Sequence, residues 1–142
     1  MFSGAGAKAY GGRFNSPGRR VVYTSGSLSL GILELIVQSN KRDRLRDLVC
    51  ASASFDPALV KRLDAADLPA NWASRPPSAL TQRLGDDWLA SRETCILRVP
   101  SVVVPRESNY LFNPSHPDVA RVTFGEVLPI DLDHRLKPGA WA

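Results

Sequence analysis

Two rhythms of apolar residues run along this chain, and the places where one gives way to the other mark the elements. Val21-Val22-Tyr23 is a short β-prone run that stops at Thr24-Ser25-Gly26, where small polar residues let the chain turn. From Ser27 the rhythm changes. A capping-type serine precedes Leu28, Leu30, Ile32, Leu33, Leu35, Ile36 and Val37, and the run ends at Ser39-Asn40. Apolar on nearly all sides, Ser27 to Gln38 reads as a buried, central helix. Leu48 to Ala53 predicts a strand and Pro57 to Leu63 a short helix. Prolines between Leu68 and Pro77 predict an irregular connection, because proline removes a backbone donor and restricts its predecessor.

Ser78 to Ala90 predicts a second helix, with Leu80, Leu84, Trp88 and Leu89 near helical spacing. Cys95 to Val99 and Val102 to Val104 read as the clearest strands. A loop with Tyr110, Asn113 and Pro114 follows, then a turn from His116 to Val122 and a last strand from Val127 to Leu132. The glycine-rich first twenty residues predict a loop, with a turn at Asn15-Ser16-Pro17-Gly18 where proline presets one dihedral and glycine accepts a positive φ. Short strands alternating irregularly with few helices fit a single α+β domain with a mixed sheet.

Composition narrows the setting. A chain of 142 residues, 44% of them hydrophobic, is one domain's worth of core. No apolar run approaches the roughly 18 residues of a membrane span, and Met1 to Lys8 lacks the basic start and apolar stretch of a secretion signal, so a cytoplasmic protein is expected. Cys50 and Cys95 are then expected as free thiols rather than a disulfide. The net charge of +4 suits an acidic partner without selecting one. The densest basic run, Lys41 to Asp47, contains two aspartates and no aromatic residue, which favours a solvated, self-compensating surface over direct nucleic-acid contact.

Candidate chemistry is sparse. Gly4-Ala5-Gly6-Ala7-Lys8-Ala9 matches the dinucleotide fingerprint formally, but no strand can precede it within three residues, so the match is read as accidental. His116 and His134 have no cysteine at finger-like spacing, and both are expected in structural or surface roles, with no metal site. Glu34 carries more information. Between Leu30 and Val37 on its helix, an unpaired carboxylate costs several kcal/mol, on the order of a lost buried polar contact. Either it lies at a helix edge and pairs with an arginine, or it is held for a reaction that develops positive charge. Arg13, in Gly11-Gly12-Arg13-Phe14-Asn15, is either solvated or forks onto an anion such as a phosphate. Tyr23, at a strand end, reads as core more readily than as a catalytic residue. Ser101 has no histidine at recognisable spacing and is not assigned as a nucleophile.

Taken together, five segments in order resemble the RES domain family, named for an arginine, a glutamate and a serine. They are Gly11-Gly12-Arg13-Phe14-Asn15-Ser16-Pro17-Gly18, Val22-Tyr23-Thr24-Ser25, Leu33-Glu34-Leu35, Val99-Pro100-Ser101, and Asn109 to Pro117. The similarity covers nearly the whole chain, residues 1–142, and implies an ADP-ribosyltransferase-like mixed, bent sheet. Phe14 stands where tryptophan is usual. The strand that other members carry before the glycine-rich loop, with an arginine of the dinucleotide site, is expected to be missing.

The resemblance implies a toxin of a type II toxin–antitoxin pair that cleaves the nicotinamide–ribose bond of NAD⁺, its substrate, and needs no further cofactor. The ADP-ribose would pass to water, phosphate or a target protein. A helix-turn-helix antitoxin is the implied partner, with no membrane involved. Glu34 would stabilise the sugar's developing charge, Arg13 would hold the pyrophosphate or ribose, and Tyr23 would orient the nicotinamide. Gly12, Asn15, Ser25, Ser101 and Asn113 are the implied substrate-binding residues. The competing class is a catalytically inactive or nucleic-acid-binding basic module, whose affinity should collapse with salt where turnover in a closed pocket should not.

Overall fold

The computed structural model describes residues 2–38 and 45–136. The helix stop at Ser39-Asn40 and the basic residues from Lys41 to Arg44 lie outside the described residues. The main sheet has four strands in the order β1 (Val22–Ser25), β6 (Ser108–Phe112), β5 (Ile96–Pro100) and β4 (Val60–Arg62). β6 pairs antiparallel with both β1 and β5, while β4 runs parallel to β5, so the sheet is mixed. Two short antiparallel ribbons join β2 (Val49–Cys50) to β8 (Leu128–Pro129) and β3 (Ala53–Ser54) to β7 (Thr123–Phe124). Among the described residues three α-helices accompany the sheets in this α+β fold: α1 (Ala5–Tyr10), α2 (Leu28–Gln38) and α3 (Ala79–Ser91).

Register sorts the sheet's faces, because side chains alternate along each strand. Tyr23 opposes Leu111, which opposes Leu97, and Ser25 opposes Asn109, which opposes Val99. One face therefore carries Leu97, Val99 and Leu111 in a core with Phe14, Val21, Leu68, Trp88 and Leu89. Ser25 and Asn109 extend that same face as a polar end. The opposite face packs Val22, Ile96 and Phe112 with Leu59, Cys95 and Val122, and Phe112 meets the ring of Phe55 edge-on.

The third helix is the expected one, slightly shifted. Its buried stripe is Thr81, Gly85, Trp88 and Leu89, while Leu80 points outward. Gly85 explains the rotation. A Cβ there would stand 1.7 Å from the Phe14 carbonyl oxygen, so only glycine lets the helix approach the glycine-rich loop this closely. Gln82 Nε2 donates to the Gly12 carbonyl at 3.0 Å, and Asp86 Oδ1 accepts from the Ser16 N–H at 3.0 Å. One helical face thus fixes the whole loop.

Several expectations are corrected. The N-terminal stretch is not all loop, because alanines at 5, 7 and 9 favour helix and Gly4, at φ 66°, starts α1. Val102 to Val104 is not a strand: the Ser101 hydroxyl accepts from the N–H groups of Val103 and Val104 and folds them into a turn. The strand is Ser108–Phe112 instead. Pro57 to Leu63 splits into a 3-10 turn, Pro57–Leu59, and β4. Leu48 to Ala53 breaks between β2 and β3, and Val127 to Leu132 keeps only β8.

The predicted start of α2 holds, with the Leu30 N–H donating to Ser27 Oγ at 3.2 Å. Its predicted burial does not. Only Leu30 is buried, and Leu28, Leu33, Leu35 and Val37 are 38–53% exposed, because the helix leans on the edge strand β1 and no second layer covers its outer side among the described residues. Cys50 and Cys95 are free thiols. Among the described residues no helix is long and apolar enough to cross a membrane.

Candidate active site

β1 ends at Ser25, the chain turns through Gly26, and α2 rises beside the polar end of the sheet, so Glu34 comes to lie over Asn109 and Ser101. Glu34 Oε1 accepts from Ser101 Oγ at 2.8 Å and from Asn109 Nδ2 at 2.8 Å. Among the described residues its second oxygen, Oε2, has no hydrogen-bond partner and no arginine at ion-pair distance. Ser101 is fully buried and its hydroxyl is saturated: one donation to Glu34 and two acceptances from backbone N–H groups. A hydroxyl so engaged positions a carboxylate and is not free to attack. Asn109 Oδ1 is buried without a partner, so the carboxamide's orientation is set by the carboxylate alone.

Tyr23 is anchored by its phenol. The hydroxyl donates to Asn15 Oδ1 at 2.7 Å and accepts from the Phe14 N–H at 3.1 Å. Burial raises the phenol's pKa well above its ordinary value, against the opposing pull of the Phe14 N–H. The residue is nevertheless 40% exposed, and with its hydroxyl engaged it is the rest of the side chain that is open to a ligand. A Cβ on Gly12 would stand 2.6 Å from this hydroxyl, so the loop needs glycine here. Arg13 Nη1 donates to the carbonyls of Trp72 and Ser74 at 2.7 and 2.9 Å, which uses both hydrogens of that nitrogen and leaves Nε and Nη2. Burial lowers the guanidinium's pKa, as does the charge of Arg75, while Glu34 and Tyr23 act in the other direction.

Arg13, Tyr23 and Glu34 line one cavity of about 1270 Å³, together with Gly12, Ser25 and Asn109. That exceeds the roughly 300–1,000 Å³ typical of small-ligand clefts. Three expected substrate-binding residues are not on its wall. Ser101 stands behind Glu34. Asn15 is wholly buried, its Nδ2 bonded to the carbonyls of Ala7, Ser16 and Arg19, so it shapes the loop. Asn113 accepts from the Ser115 N–H in a turn beside His116 and takes no part in the cavity. His116 is structural: Nδ1 accepts from the Asp118 N–H, and Nε2 lies 2.9 Å from the Arg92 carbonyl.

Asn109 and Arg75 also line the cavity, outside the set the sequence points to. Asn109 lies in a stretch whose sequence reads as a loop, and only the strand register, opposite Ser25, turns it toward the site. Arg75 sits in the proline-rich connection, where no spacing rule marks it. Among the described residues no group of three or more metal-ligating side chains converges.

A mixed α+β domain that gathers a loop arginine, a strand tyrosine and a helix glutamate at one cleft defines a class, and the sequence comparison gives that class its family. The RES domain profile matches residues 1–133, and the chain belongs to the RES domain family. It is 35% identical to "Toxin Res" of Yersinia enterocolitica over 138 residues, 96% of this chain and 90% of that protein. It is 36% identical to the "Prs ADP-ribosylating toxin" of a Sphingobium species over 137 residues, 94% and 85% of the two chains. Its fold matches a chain in the crystal structure of the M. tuberculosis MbcT-MbcA toxin-antitoxin complex, with TM-score 0.73 and 14% identity, covering 92% of this chain and 77% of that one.

Proposed function

We propose that this protein is the toxin of a toxin–antitoxin pair and acts in the cytoplasm by cleaving the nicotinamide–ribose bond of NAD⁺. The single observation that carries the reading is the carboxylate of Glu34, fixed through Oε1 by Ser101 and Asn109 with Oε2 left unclaimed in a cleft it shares with Arg13 and Tyr23. As nicotinamide departs, the ribose becomes oxocarbenium-like, and a preorganised carboxylate stabilises that charge. At about 4 Å and an effective dielectric near 20 the attraction is roughly 4 kcal/mol, on the order of a thousandfold in rate before desolvation is discounted.

The other residues follow from the groups they have free. Arg13 offers Nε and Nη2 to the pyrophosphate. Tyr23, its hydroxyl engaged, offers a ring face on which nicotinamide stacks. Gly12 contributes by letting the Tyr23 phenol pack against the loop that carries Arg13, and Ser25 supplies a hydrogen bond from the strand end. The acceptor is water, inorganic phosphate or a side chain of another protein, and the name of the Sphingobium relative makes a protein acceptor the first to test. A cognate antitoxin covering the cleft is the matching partner, in keeping with the complex in which the structural neighbour was solved.

The test is incubation of the purified protein with NAD⁺ alone, with phosphate, and with cell extract, followed by identification of the adenine-containing products. Nicotinamide release is expected, with ADP-ribose, ADP-ribose phosphate or a labelled protein revealing the acceptor. NAD⁺ left intact under all three conditions would sink the reading.

A further inference from the structure

We propose that Arg75 is a second anion-binding arginine and forms with Arg13 a two-guanidinium site for a diphosphate, such as the bridge of a dinucleotide. The inference takes the ligand class from the function proposed above, but the site itself rests on geometry.

The connection that carries Arg75 is fastened on both sides. Arg13 Nη1 bonds the carbonyls of Trp72 and Ser74, immediately before Arg75, and Ser74 Oγ donates to the Pro76 carbonyl at 3.1 Å, immediately after it. Turns closed by Trp72 N–H on Pro69 and Ser74 N–H on Asn71 hold the preceding residues. The loop arginine therefore builds the platform for the other one. Arg75 is exposed, lines the same cavity, and makes no hydrogen bond or ion pair among the described residues. Its charge reaches Arg13 strongly enough to be the largest influence on that guanidinium after burial.

Two like charges held near each other at a cavity wall are unfavourable, and among the described residues no carboxylate lies within ion-pair distance of either. Glu34 acts on Arg13 only at longer range, with its Oε1 committed to Ser101 and Asn109. An entering dianion removes the repulsion and finds planar N–H forks: Nε and Nη2 of Arg13 and the whole guanidinium of Arg75. Glu34 would then face the ribose while the two arginines hold the bridge next to it.

The experiment compares wild type, Arg75→Gln and Arg75→Lys, with Arg83→Gln as a surface control, by kinetics with NAD⁺ and with nicotinamide riboside, and by calorimetric binding of inorganic pyrophosphate. Arg75→Gln should raise KM for NAD⁺ about tenfold or more, with kcat changed by less than about threefold, as loss of a charged hydrogen bond predicts. Arg75→Lys should recover part of that loss, and Arg83→Gln should match wild type. Cleavage of nicotinamide riboside, which has no diphosphate, should not respond. Unchanged KM together with unchanged pyrophosphate affinity in Arg75→Gln overturns the proposal and leaves NAD⁺ cleavage standing. Pyrophosphate binding lost in Arg75→Gln, in a wild type that leaves NAD⁺ intact, would keep the anion site and reject the proposed reaction instead.

Discussion

α2 and α3 make opposite uses of similar lengths of chain. α2 has seven large aliphatic residues among Leu28–Gln38 and buries only Leu30, whereas α3 is studded with Arg83, Asp86 and Asp87 and buries Thr81, Gly85, Trp88 and Leu89. The more apolar helix is the more exposed one. α3 is the scaffold: its inner face packs on the sheet and grips the glycine-rich loop through Gln82, Gly85 and Asp86. α2 is a carrier that leans on one edge strand and delivers a single carboxylate to the cleft. Apolar content therefore reports the opportunity for burial, and tertiary placement decides whether it is taken.

The comparison is broken most severely at Gly85. Gly85→Ala should cost at least about 3 kcal/mol, read as a fall in melting temperature, because its methyl would overlap the Phe14 carbonyl. A normal melting temperature would show that α3 does not hold the loop as described.

Tyr23→Phe comes next. It strands the Phe14 N–H and Asn15 Oδ1, for an expected loss of about 2 kcal/mol. The ring remains, so nicotinamide release should survive in the fraction that is folded. This variant also carries a pH signature. A phenol whose folded pKa is raised stabilises the fold fully below its unfolded value near pH ~10 and loses that contribution as pH climbs toward the folded value. Tyr23→Phe should flatten the alkaline limb of the stability profile, as followed by urea titration across pH 9 to about 11.

Asn109→Ala has a smaller effect, and a different one. It removes one of two donors to Glu34 together with a buried acceptor that has no partner, so the rate should fall about tenfold with little change in stability. The smallest change is Leu33→Ala on the outer side of α2, expected within about 0.5 kcal/mol of wild type by chemical denaturation. A loss above about 2 kcal/mol would mean that this face is covered in the protein in solution.

Much of this was legible in the sequence where one local cause decides. Ser27 caps its helix as read, the Ser78 helix has its expected extent, and the strand through Cys95 to Val99 is the sheet's most buried. The segments that led to the RES family also placed Arg13, Tyr23 and Glu34 at one cleft. What failed depended on long-range geometry. Val102 to Val104 has strong β-propensity, yet the Ser101 hydroxyl holds it in a turn; Ser108 to Phe112 becomes an inner strand of the sheet because β1 and β5 both pair with it. The apolar pattern of α2 predicts a burial the helix does not have, because periodicity does not say what lies opposite. Asn15 and Asn113 carry motif positions but have their side chains engaged inside turns. Arg75 lines the cleft from a connection that Arg13 pins at Trp72 and Ser74, 59 and 61 residues away in sequence, a contact no spacing rule reveals.

The most direct measurement is the initial rate of nicotinamide release from NAD⁺ by wild type and by Glu34→Gln, with melting temperatures of both proteins in hand. Glutamine keeps the shape and removes the charge. The account predicts a loss on the order of a thousandfold at nearly unchanged stability. An undiminished rate in Glu34→Gln would contradict it.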